Sequence, residues 1–156
     1  MLGNAKVLEQ LNVALSSELT AITQYMAQSE MCQNWGYGRL AGITKARAIE
    51  EMKHAEGLIE RIIFLDGVPA VNVGLTPKLG TNVQSQLEAD LADELDAAKE
   101  YNQAVKICRD AKDDGTRALF EKMIKDEERH VDYLESQLHS IKEIGIELYL
   151  SNQMRG

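Results

Sequence analysis

The sequence predicts an all-α chain: a four-helix bundle with one long crossover and a short fifth helix at the C-terminus. Three observations carry the prediction. Pro69 and Pro77 are the only prolines in 156 residues, so the rest of the chain is free to be helical. Leu, Ala, Glu, Lys, Gln and Met are plentiful, which suits helices. One pattern also occurs twice. Glu18 is followed by Glu51-x-x-His54, and Glu94 is followed by Glu127-x-x-His130, at the same interval (51 − 18 = 127 − 94). The second copy is displaced from the first by one constant offset (94 − 18 = 127 − 51).

The elements follow in order. Residues 4–34 form the first helix, and Asn34-Trp35-Gly36-Tyr37-Gly38 breaks it from the second, 39–65. The third and fourth, 83–112 and 115–144, are separated by Asp113-Asp114-Gly115. Both breaks are short, so each pair reads as an antiparallel hairpin. Residues 66–82 hold both prolines with Gly67, Gly74 and Gly80 and show no helical period. Seventeen extended residues cover about 55 Å, and the 27-residue second helix is only about 40 Å long. This link can therefore run the whole bundle and make helices two and three parallel. A short helix, 146–153, ends the chain, and residues 1–156 read as one domain.

Composition excludes several classes of function. A formal net charge of −8 disfavours nucleic acid, which needs a basic face. No apolar stretch approaches the ~20 residues of a membrane span, and no basic segment with an apolar run opens the chain. The cytoplasm is the simplest location. Cys32 and Cys108 are related by the same offset as the two glutamate patterns. Each lies about 21 Å along its helix from its glutamate, so the two fall at opposite ends of the bundle, beyond disulfide reach. They read as reduced, buried thiols.

Helical phase places the repeated residues inward. Leu11, Leu15, Ile22, Tyr25 and Ser29 lie within about 60° of Glu18. The same offsets around Glu94 give Leu87, Leu91, Ala98, Tyr101 and Val105. Leu40, Leu58, Ile62 and Leu65 share the face of Glu51 and His54. Phe120, Ile124, Val131, Leu134 and Leu138 share that of Glu127 and His130. A single Glu on such a stripe would sit at its edge and reach water, and a single His would be a satisfied core residue. Six together are different. Four buried carboxylates without countercharge would cost several kcal/mol each, and two divalent cations compensate them economically. Four Glu and two Glu-x-x-His imidazoles from four helices are the ligand set of di-iron and di-manganese bundles. Oxygen-rich ligation with one imidazole per metal suits Fe or Mn better than structural Zn.

Tyr25 and Tyr101 also match at the repeat offset. Each phenol is expected to donate to a ligand carboxylate of the opposing hairpin. Met52 lies about 130° from the direction between Glu51 and His54, facing outward with Ile49, Ile59 and Ile63. Such an outer apolar stripe marks a subunit interface. Arg47 points inward one turn before Glu51, and Asp90 stands at the matching level before Glu94. Their repeat counterparts are Met123 and Ala14. A bare guanidinium there would repel cations and be costly to desolvate. Arg47 and Asp90 are therefore expected to meet across the bundle diagonal.

Along its full length the sequence resembles bacterioferritin. The resemblance is carried by Leu11-Asn12 through Glu18-Leu19, Gln24-Tyr25, Asn34-Trp35-Gly36, Glu51-Met52-Lys53-His54-Ala55 and Ile59 through Leu65. It continues in Asp90-Leu91, Glu94-Leu95 and Asp126-Glu127-Glu128 with His130. It implies a ferritin-like fold and a hollow homo-oligomer of 24 subunits built from dimers. Such a shell oxidises Fe(II) with dioxygen or peroxide at an intra-subunit di-iron centre and stores ferric mineral. Glu51 and Glu127 would bridge the irons, Glu18 and Glu94 would be terminal, and His54 and His130 would take one iron each. The resemblance also implies haem b between two subunits with Met52 as axial ligand, serving iron release with electrons from a small ferredoxin. Lys45, Ala46 and Arg47 depart from the family's more usual aromatic, histidine and glutamate, leaving Glu50 alone of an inner-surface iron site. A rubrerythrin-type peroxidase would need Cys-x-x-Cys pairs, which are absent, and a scaffold bundle would not need six buried ligands.

Overall fold

The computed structural model describes residues 1–72, 74 and 76–155. Val73 and Leu75 of the expected crossover, and Gly156 at the end of the expected domain, lie outside the described residues. The helices are α1 (Ala5–Asn34), α2 (Gly38–Phe64), α3 (Val83–Asp110), α4 (Asp114–Ile144) and α5 (Ile146–Ser151). No strand occurs among the described residues.

Side chains set the helix starts. The Asn4 carboxamide accepts from the amides of Lys6 and Val7 at the start of α1. Asn82 and Ser85 cap each other at the start of α3. Asp113 accepts from the Thr116 amide at 2.9 Å and starts α4, one residue before the expected boundary. Each such cap contributes about 1 kcal/mol.

The ends of α1 and α3 are alike. The Tyr37 amide donates back to the Cys32 carbonyl at 2.9 Å, with Gly36 in the left-handed region at φ 88°. The Asp113 amide donates to the Cys108 carbonyl at 2.9 Å, with Lys112 at φ 57°. These six-to-one bonds satisfy carbonyls that the helix leaves free. They also explain why α3 stops at Asp110, short of the expected residue 112: Ala111 and Lys112 form the reversal. At the other end of the chain a turn follows Ser151, so α5 is two residues shorter than expected.

Helix α1 packs on α2 and α3, and α4 packs on α3 and α2, leaving α2 and α3 on a diagonal. Leu40 near the start of α2 and Val83 at the start of α3 belong to one core cluster, so these helices run the same way. The crossover returns along α1. Asn12 accepts from the Ala70 amide at 2.8 Å, and Gln24 accepts from the Lys78 amide at 2.8 Å.

The core is split. One cluster, around Leu11, Leu15, Leu58, Ile62, Cys108 and Phe120, fills one end. The other, around Cys32, Leu40, Leu87, Leu134 and Tyr149, fills the second end under α5. The thiols are free and in separate clusters, as expected, and burial pushes each up to about 11. On the outside of α2, Ile49, Met52 and Ile63 are 43%, 43% and 58% exposed. Ile59, expected on that stripe, instead packs half-buried against the first cluster.

Candidate metal centre

Between the two apolar clusters lies a layer of buried acid. Glu18 from α1, Glu94 from α3, Glu51 and His54 from α2, and Glu127 and His130 from α4 are all buried there. They form two overlapping groups, Glu18, Glu51, His54, Glu127 and Glu51, Glu94, Glu127, His130. Within each group, one ligand atom per residue lies within 4.8 Å of the others. Glu51 and Glu127 belong to both. All six sequence-predicted positions therefore converge.

Each of the six turns one buried atom inward that makes no hydrogen bond: an oxygen of Glu18, Glu51, Glu94 and Glu127, and Nδ1 of His54 and His130. The nitrogens are nonetheless close to oxygens. His54 Nδ1 is 3.2 Å from Glu127, and His130 Nδ1 is 3.1 Å from Glu51. Buried polar groups are normally satisfied within the protein. Six converging exceptions, four carboxyl and two imidazole, fit a pair of divalent cations with oxygen-rich ligation.

The outer atoms of these side chains are held. Tyr25 donates to Glu94 and Tyr101 donates to Glu18, each across to the opposing hairpin, as the repeat predicts. Burial pushes both phenols well above their usual range, so they stay protonated donors. His54 Nε2 is 2.8 Å from Asp126 and His130 Nε2 is 2.6 Å from Glu50. A proton on Nε2 shared with these carboxylates leaves the Nδ1 lone pair facing the centre.

The roles of Asp126 and Glu50 were not read from the sequence. Both look like ordinary solvent-facing charges beside a ligand. Their signal was the repeat offset, which relates Glu50 to Asp126. Glu50 is thereby engaged: Arg129 bridges it at 2.6 Å and Asp126 at 2.8 Å.

The acids titrate unequally. Burial, then the neighbouring Glu51 charge, pushes Glu18 well above the carboxylate range. Burial and Glu127 raise Glu94 to about 7. Burial also acts upward on Glu51, but the close approach of Glu18, His130 and His54 outweighs it and holds Glu51 at about 2. Burial opposes the charge on His130, yet the surrounding carboxylates push it up to about 12. Protein without a cation thus keeps protons in this layer, and a cation must displace them.

Two approaches reach the layer. A cleft of about 260 Å³ between α1 and α3, under the crossover, runs past Thr76, Lys78 and Asp96 to Glu18, Glu51, Glu94 and Glu127. A wider hollow between α2 and α4 exposes the Glu50, His54 and Asp126 side.

Arg47 and Asp90 meet across the diagonal as expected, with Nη1 donating to Oδ2 at 3.3 Å. Arg47 Nη2 also donates to Glu94 at 3.3 Å, a contact the sequence did not suggest. Met52 stands outside the layer on the exposed face of α2.

A family model of the ferritin-like domain matches residues 8–144. A bacterioferritin of Mycolicibacterium paratuberculosis is 44% identical over 149 residues, covering 96% of this chain and 94% of its own. A bacterioferritin of Mycobacterium tuberculosis is 43% identical with the same coverage. One of Brucella melitensis is 43% identical, covering 96% of this chain and 92% of its own.

Proposed function

The chain belongs to the bacterioferritin family, and from that premise we propose that it stores iron and oxidises Fe(II) at an intra-subunit centre. The observation that carries the reading is the six inward atoms without hydrogen bonds, on six residues of four helices.

Fe(II) arrives as substrate along the cleft between α1 and α3. Glu51 and Glu127, common to both ligand groups, would be the carboxylates shared by the two irons. Glu18 and Glu94 are terminal, each steadied by the tyrosine of the other hairpin. His54 and His130 complete one half each, with Asp126 and Glu50 fixing their rings. Two Fe(II) ions held there would supply one electron each to dioxygen or peroxide. The protein's part is to hold the two ions side by side, exclude bulk water with the apolar clusters, and take up or release protons at the acids.

In the same proposal residues 1–156 act as one ferritin-like domain, and 24 copies, assembled from dimers, enclose ferric mineral in the cytoplasm. Met52 would hold haem b where two subunits meet, and the haem would supply electron transfer for iron release, with a small ferredoxin as the donor. Its fit rests on an exposed thioether flanked by exposed Ile49 and Ile63. Among the described residues no helix is long and apolar enough to cross a membrane.

Two measurements test the proposal. Size-exclusion chromatography with light scattering should give a shell with the mass of 24 chains, each of 17.4 kDa. Anaerobic Fe(II) loading followed by oxygen should give fast optical oxidation. A dimer without iron, or oxidation no faster than in buffer, would overturn it.

A further inference from the structure

The two halves of the acid layer carry equivalent ligands but not equivalent surroundings. Beside Glu94 stands a charged network. Arg47 is 5% exposed and is held from three directions. Nη1 donates to Asp90 at 3.3 Å, Nη2 donates to Glu94 at 3.3 Å, and the guanidinium lies 4.2 Å over the Tyr25 ring. Asp90 is itself fixed, accepting from Gln24 and Gln28 at 2.9 Å each. The guanidinium therefore sits between Asp90 and Glu94 and cannot swing away without leaving Asp90 buried and unpaired.

Beside Glu18, among the described residues, no such charged pair occurs. The repeat counterparts of Arg47, Asp90 and Gln28 are Met123, Ala14 and Ala104, all buried in the first apolar cluster. Glu18 shares its Oε1 with Tyr101 and, at 3.5 Å, with His54. Glu94 shares its Oε1 with Tyr25, His130 at 3.3 Å and Arg47. The guanidinium is the added partner.

We propose that Arg47 makes the two halves of the centre unequal, so that a divalent cation fills the Glu18–His54 half before the Glu94–His130 half. This inference rests on the six residues being a dinuclear metal centre. Its physical cause is like-charge repulsion in a medium that screens poorly. The positive end of the Arg47–Asp90 pair faces the metal layer, and Asp90 lies behind it. Glu94 must also serve a cation through its free Oε2 while Oε1 stays shared with Arg47 and Tyr25. Arg47 is here a positioning and selectivity residue, not a ligand.

The test uses Co(II), which oxygen does not oxidise at these sites, and reads occupancy, not turnover. Crystals of the whole assembly are grown with one Co(II) per chain, and anomalous density at the cobalt edge is compared between the halves. Occupancy of the Glu18–His54 half should exceed that of the other by about tenfold or more, the separation expected from about 1.4 kcal/mol. The variant Arg47→Met/Asp90→Ala places at Glu94 the residues found at Glu18, and should bring the two occupancies to within about twofold. Arg47→Met alone leaves Asp90 near Glu94 and should move occupancy further toward that half. Equal occupancy in the wild-type protein, or an unchanged ratio in the double variant, overturns the inference while leaving the metal centre standing. Absence of cobalt from both halves at saturating Co(II) overturns the centre itself and the inference with it.

Discussion

In the first hairpin, α1 and α2, the turn is closed by Gly36 at φ 88°; in the second, α3 and α4, by Lys112 at φ 57°. The hydrogen bonds around the two turns are nearly identical in length, yet what surrounds them differs. Beyond Lys112, Arg61 from α2 reaches over and donates to Thr116 and Asp113 at 2.9 Å each. The counterpart of Arg61 is Gln137, which instead accepts from Tyr149 of α5 at 2.8 Å. One end of the bundle is closed by a polar clamp and the other by an apolar helix. The same contrast runs through the centre. Ligands, tyrosines and imidazole partners all repeat at one offset, whereas Arg47, Arg129 and Met52 have Met123, Lys53 and Glu128 as counterparts. The repeat is kept where the chemistry needs two equal sets of donors. It is relaxed around those donors, where Arg47 adds charge to one side only.

The largest expected effect comes from the positions where the two halves are joined. Glu51→Ala and Glu127→Ala each remove a carboxylate common to both halves, so each should slow Fe(II) oxidation by more than about a hundredfold, since even an outer partner of a metal ligand is worth roughly 10–100-fold. The proposed shell should still assemble, because the lost groups are desolvated carboxylates, not packing anchors. Stopped-flow absorbance after mixing with oxygen measures it. Wild-type rates in either variant would mean that the joining carboxylates are elsewhere.

Met52 tests the asymmetry of the outer face. Its counterpart Glu128 is exposed and charged, so only the first hairpin offers a thioether there. Met52→Leu keeps the volume and should abolish haem absorbance while Fe(II) oxidation continues. Haem retained with unchanged axial ligation would place the ligand at another residue.

The tyrosines should respond more weakly. Tyr25→Phe and Tyr101→Phe each remove one donor to a terminal carboxylate and keep the ring, including the stack of Arg47 on residue 25. Each should weaken Co(II) binding by about tenfold at its own half. In a calorimetric titration Tyr101→Phe should affect the tighter step and Tyr25→Phe the weaker one. Equal effects on both steps would show that the halves are not distinguished.

Much of this is legible because a centre of the proposed kind imposes spacing. Glu18, Glu51, His54, Glu94, Glu127 and His130 must interrupt apolar stripes, and the helical period exposes them. The length of the crossover predicted the parallel pair α2 and α3, which in turn placed Arg47 opposite Asp90. Other features were hidden for physical reasons. Glu50 and Asp126 lie at the edge of the bundle, where a carboxylate is normally just solvated, so only the repeat marks them. The grip of Gln24 and Gln28 on Asp90 depends on how far long side chains reach, which periodicity does not encode. The Lys112 reversal carries no glycine signal, so the sequence predicts an α3 two residues longer than the one observed. Ile59 was assigned to the outer stripe because a direction on a helix does not say how closely a neighbouring helix approaches.

The smallest expected effect returns to the two turns. Both residues sit in the left-handed region, but only one is glycine. A Cβ on Gly36 would meet nothing within 4 Å, so Gly36→Ala adds no clash. Its penalty is that of the backbone conformation, about 1–2 kcal/mol for a residue with a Cβ, reduced by the roughly 0.5–1 kcal/mol of chain entropy that glycine loses on folding. Net destabilisation should be about 0.5–1 kcal/mol. Lys112→Gly reverses both contributions in the second hairpin. It removes the left-handed strain and adds the glycine entropy, so it should be neutral or stabilising by up to about 1 kcal/mol. The measurement is the shift in urea midpoint at fixed protein concentration and the same assembly state, with an unchanged slope. A Lys112→Gly variant less stable than wild type by more than that margin would show that the lysine side chain holds the turn through a contact, and that the two reversals are alike in backbone only.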